Sequence, residues 1–149
     1  GAEGSDALSE IERLAFSDVS LAFDMAGNGG LTARYLGAVF GPEAVANRVY
    51  AGIGVHLLDT GLSPAELMQL ALEARLGPGF SPEAEVGLLY RNLVGQAPSA
   101  ADLAYWTGTL GSGQFTAVSL AQMAAGLDLN ALNIDLTGLA DSGLAYTLP

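Results

Sequence analysis

Four groups of residues in this 149-residue chain have types and spacings that chemistry could use. The first is the segment Asp24-Met25-Ala26-Gly27-Asn28-Gly29. A calcium loop of the EF-hand kind wants oxygen ligands at its first, third and fifth positions, glycine at the sixth and a bidentate acid at the twelfth. Asp24, Asn28 and Gly29 fit, but Ala26 and Tyr35 stand where ligands are needed. Calcium is therefore the one cofactor worth weighing, with Asp24 and Asn28 as its candidate ligands. The competing reading is a strand-to-helix turn in which Asp24 or Asn28 bonds nearby backbone amides.

The second is His56, the single histidine. A hydrolytic triad would need it beside a nucleophile and an orienting acid, and no G-x-S-x-G elbow accompanies it. The third is a pair of carboxylates, Glu83 with Glu85 or Glu10 with Glu12. Two acids can act as proton donor and base on a glycoside. Acids in a first helical turn more commonly complement the helix dipole. The fourth is the aromatic set Tyr90, Tyr105 and Trp106. Exposed, Tyr105 and Trp106 would contact a sugar ring or a partner protein. At helical spacing with Leu103 and Leu110 they read as core. No residue earns a catalytic assignment from these patterns, and a hydrolase stands as the weakest of the functional readings.

Composition narrows the partners. Sixteen acidic residues against five basic ones give a net charge of -11, and all five basic residues are arginine. Such a surface repels phosphate backbones, which excludes nucleic acid as an expected partner. Cysteine is absent, so disulfides, thiolate catalysis and zinc sites of the cysteine type are ruled out. No run of roughly 18 apolar residues is present, so no membrane-inserted helix is expected. The N-terminus shows no basic start followed by an apolar run, as a signal peptide would. Half of the chain is apolar, enough for a core with apolar surface left over.

The elements that must position these residues follow from period and punctuation. Residues 1–10 read as a linker. Residues 11–24 alternate as a short β-hairpin, with Leu14 and Phe16 on one face and Leu21 and Phe23 on another after the Ser17-Asp18 turn. A lone hairpin is marginal in water, so it must dock on the rest. Gly27-Asn28-Gly29-Gly30 is expected as loop. From residue 31 the period is helical. Leu31, Tyr35, Leu36, Val39 and Phe40 make one helix, and Gly41-Pro42 ends it. Glu43 to Leu58 makes a second, with Val45, Val49, Ile53 and Leu57 inward. Ser63-Pro64-Ala65-Glu66, Ser81-Pro82-Glu83, Ser99 and Thr116 cap four more. Leu129, Leu132, Leu136 and Leu139 form the stripe of a seventh. TARYLGAVFG and GLLYRNLVGQ echo one another, as two related helical halves would. The expected fold is mainly α, a small bundle of about six to seven helices with a short N-terminal β-hairpin, and residues 11–149 form one domain with 31–148 helical.

Over residues 88–113, LLYRNLVGQAPSAADLAYWTGTLGSG, the chain resembles the DUF4214 domain family. That pattern is met by Leu89, Tyr90, Asn92, Gly95, Pro98, Leu103, Tyr105, Trp106, Leu110 and Gly113. Gln96, Ser99 and Asp102 depart from it, standing for an arginine, an aspartate and a glycine, and the first two remove an arginine–aspartate pair that the family could form across the turn. Residues 11–30 are similar to the hairpin and loop that precede such domains, whose relatives often carry a second aspartate where Ala26 stands. The middle and the tail resemble a subgroup at the ends of long proteobacterial proteins. The resemblance implies a non-catalytic structural or interaction module, extracellular or on the cell surface. It would serve surface attachment, self-assembly or type I export, with the LADSGLAYTLP end as part of an export signal. Implied partners are the chain itself, another surface protein or a surface polysaccharide.

Overall fold

The computed structural model describes residues 12–149. The linker expected at 1–10 lies outside them, as do Glu10 and Ile11. The described chain is mainly α, with eight helices, one 3-10 turn and a three-stranded antiparallel sheet.

Strands β1 (Arg13–Ala15) and β2 (Ser20–Ala22) form the expected hairpin, with Leu14 opposite Leu21. Helix α1 (Asn28–Phe40) follows. Gly27-Asn28-Gly29-Gly30 is thus not a loop. Gly27 caps the helix, and the next three residues are its first turn. Asp24 makes this possible by doing the capping from outside, since its carboxylate accepts the Gly29 N–H at 2.9 Å and its carbonyl accepts those of Gly27 and Gly30.

Next comes a 3-10 turn (Pro42–Ala46), then α2 (Arg48–Asp59). The single helix expected over 43–58 is therefore split. The Asn47 side chain accepts the Tyr50 N–H at 3.0 Å and starts a new helix in place of continuing the old one. Helices α3 (Pro64–Leu76), α4 (Pro82–Val94), α5 (Ala100–Gly111) and α6 (Ala117–Ala125) begin where their caps predict. Ser63, Ser81 and Ser99 each accept the N–H three residues on at 3.1 Å. Thr116 and Ser119 cap one another reciprocally.

The seventh helix divides into α7 (Asp128–Asn133) and α8 (Leu136–Ser142). Asp135 stands at φ 53°, where an L residue cannot continue a helix, and its carboxylate caps α8. The chain then ends in β3 (Leu144–Tyr146), which corrects the all-helical reading of 31–148. This strand pairs antiparallel with β2, Leu21 opposite Ala145, in the order β1-β2-β3. The hairpin gains its third strand from the far end of the chain and so ceases to be marginal.

Helix α1 runs through the middle and is buried on nearly all sides. One face joins Tyr35 and Val39 to Leu58, Met68, Leu72, Leu89 and Leu120. The other joins Ala33 and Leu36 to Val45, Val55, Ile134, Leu144 and Tyr146. The two echoing segments fall in α1 and α4, which touch where Asn92 Nδ2 donates to the Ala38 carbonyl at 2.8 Å. Among the described residues no helix is long and apolar enough to cross a membrane.

Candidate functional site

Asp24 is buried, and its carboxylate is ion-paired with Arg13 while it accepts from Gly29. Arg13 reaches on to Asp59 at 2.9 Å, and Asn28 Nδ2 donates to the same Asp59 oxygen at 2.9 Å. Asp24 and Asn28 are therefore brought into one cluster, but as a clamp that ties β1, α1 and the end of α2 together. The cation at Asp24 is a guanidinium. Among the described residues no three histidine, aspartate or glutamate side chains gather as a metal would need. Arg13 and Asp59 were not singled out in the sequence, because nothing local links residues 46 apart.

His56 stands exposed on α2, beyond reach of the buried face. Glu12 and Glu83 are exposed too. Glu85 is not, and this departs from its reading as a solvated first-turn acid. It is fully buried in α4, neither carboxylate oxygen has a hydrogen-bond partner, and burial pushes its pKa up to about 8. It therefore stands apart from Glu83 and forms no acid–base pair with it.

On α5, Tyr105 is 61% exposed, and its ring meets Trp106 edge-on at 5.0 Å. Trp106 is half-buried, leans on Phe115 and joins the larger core cluster. The Tyr90 hydroxyl donates to Asp102 at 2.7 Å, and that bond raises the phenol pKa. Tyr90, Ser99 and Leu103 thus hold the α4–α5 hairpin together by hydrogen bond, capping and packing, while Asn92 ties α4 to α1.

Among the described residues, apolar hollows open between the helices at the surface. A smaller one, about 140 Å3, lies between α4, α5 and α6, with Trp106, Leu89 and Met123 in its walls. Its margin is apolar and solvent-facing, with Val94 at 46% exposure and Leu127 and Leu129 at 42% each. Leu132, one helical turn on from Leu129, is 78% exposed. The stripe read as the core side of a seventh helix is therefore partly an outer face. Ile134 and Asn130 take the buried side instead. A larger hollow, about 350 Å3, lies between α1, α2 and α3.

No protein-family model matches this chain, and neither a curated protein nor a solved structure matches it.

Proposed function

We propose that the chain is a non-catalytic interaction module of a secreted or cell-surface bacterial protein, of the DUF4214 kind, and that its role is self-assembly. The observation that carries this reading is the hollow bordered by the exposed Val94, Leu127 and Leu129, with Leu132 projecting one helical turn on from Leu129. A knob and a hollow on one surface suit an isologous contact, in which each copy offers its leucine to the other's hollow. Contiguous exposed apolar surface of this kind marks association sites. The net charge of -11 opposes the contact between copies, so screening by salt or calcium strengthens it.

Light scattering behind size exclusion, run in calcium and then in chelator, tests the proposal. A mass that grows with concentration and falls to one chain in Leu132→Asp supports it. One chain at every concentration overturns it.

A second reading is a surface-polysaccharide module. The exposed Tyr105 ring beside Trp106 favours it. Quenching of the single tryptophan by added glycan, lost in Tyr105→Ala at unchanged stability, would be its signature.

A further inference from the structure

The larger hollow is walled by Tyr35, Phe40, Leu57 and Leu67, and its mouth is formed by Tyr50, Ile53 and Leu70, which are 43%, 40% and 48% exposed. Its volume of about 350 Å3 reaches the range of small-molecule pockets. No charged side chain lines it.

Its floor holds Thr32 of α1 and Gly54 of α2. Thr32 is 2% exposed, and its Oγ1 has no hydrogen-bond partner. A helical threonine commonly gives this hydroxyl to the carbonyl one turn back. Here that bond is not made, and the side chain is turned toward Gly54. A Cβ on residue 54 would stand 2.6 Å from Thr32 Cγ2 and 3.2 Å from Oγ1. Gly54 therefore gives the Thr32 side chain its room, and the unpaired hydroxyl lies buried at the floor of an apolar hollow. An unpaired buried hydroxyl costs about 1–3 kcal/mol, which a bound oxygen atom would recover.

We propose that this hollow binds a small neutral amphiphile, a medium-length alkyl chain ending in a hydroxyl, whose oxygen bonds Thr32 Oγ1 while the chain lies between α2 and α3. Neutrality follows from the lining. A carboxylate would find no cation there and would be left desolvated and unpaired. This site is separate from the surface beside Leu132, so either proposal can fail alone.

The test is displacement of the neutral dye N-phenylnaphthylamine from the whole chain by octanol, octane and octanoate. Octanol is expected to bind more tightly than either of the others. Thr32→Val keeps the shape and removes the hydroxyl. It should leave octane unchanged and weaken octanol by about two- to tenfold. Thr32→Ser keeps the hydroxyl and should keep the preference. Ile53→Asp, at the exposed mouth, should weaken every apolar ligand while the circular dichroism spectrum stays that of the parent. Failure of octanol to displace the dye overturns the proposal. So does equal binding of octanol and octane by the unaltered chain, which would mean that Thr32 takes no part or is satisfied by water. A preference that survives in folded Thr32→Val overturns it as well.

Discussion

Gly52, in the middle of α2, lies against the backbone carbonyl of Thr147 so closely that a Cβ on it would overlap that oxygen. One helical turn back, the Arg48 carbonyl accepts the Thr147 N–H at 3.0 Å. The strand that completes the sheet is thus laid directly on a helix backbone. Gly52→Ala should lift that strand and cost about 1–3 kcal/mol, read as a lower urea midpoint. Gly61→Ser, where nothing lies within 4 Å of the added atom, is not its equal as a control because its φ of 108° brings strain of its own. Gly108→Ala, in open space on α5, should be neutral or stabilising.

Leu144 is fully buried, and Tyr146 nearly so, in the cluster that backs the sheet. Leu144→Ala should cost about 2–5 kcal/mol. Removal of residues 144–149 should in addition strip β2 of its partner. Amide exchange at Ser20 and Ala22, whose N–H groups face β3, should then become faster than in the parent.

Asp24 serves three elements at once, through Arg13, the Gly29 N–H and, by way of Arg13, Asp59. Asp24→Ala should cost more than Asp59→Ala, because the former leaves a partly buried guanidinium and an uncapped helix start, while Asp59 is exposed. Thermal melts of the two variants would rank them. The reverse order would mean that the surface arm of the clamp carries the load.

Glu85 sets a pH dependence whose sign can be worked out. Burial raises its folded pKa from 4.5 to about 8, so across that window the folded chain holds a proton that the unfolded chain has released. Its contribution to stability is complete below pH 4.5, declines as pH rises, and is gone above about pH 8. Glu85→Met should flatten that slope. At the alkaline end it should also stabilise the fold by about 1–3 kcal/mol, since it removes an unpaired buried polar group. Urea titrations at both ends of the window would check this, and an unchanged slope would mean that Glu85 is reached by water.

Trp106→Ala should lower stability by about 3 kcal/mol, the low end for a tryptophan, because one edge of the ring is already in solvent. Tyr105→Ala should be nearly neutral. A large loss at Tyr105 would contradict the exposed placement of its ring.

Legibility from sequence divided along physical lines. Helix starts at Ser63, Ser81, Ser99 and Thr116 were readable because a cap acts within three residues. The hairpin was readable from its alternation. The buried side of α2 was not. Val49 and Ile53 carry the hydrophobicity but face outward, while Ala51, Gly52, Gly54 and Val55 face in. A face chosen for closeness of backbone approach leaves no apolar period to find. Strand β3 was hidden because its partner lies at the opposite end of the chain, with no adjoining turn and second strand to mark it as β1 and β2 mark one another. The orphan hydroxyl of Thr32 and the orphan carboxyl of Glu85 depend on what is missing around them, which no local pattern encodes.

The sheet order β1-β2-β3 makes the first and last strands run parallel on either side of β2. Tension applied before Arg13 and after Tyr146 would pull those strands in opposite directions along their own axes. Both ladders would then be loaded in shear, all their bonds together, instead of being unzipped one at a time. Forced unfolding is governed by the barrier and not by the equilibrium. A domain of ordinary thermal stability wired in this way would behave as a mechanical fastener.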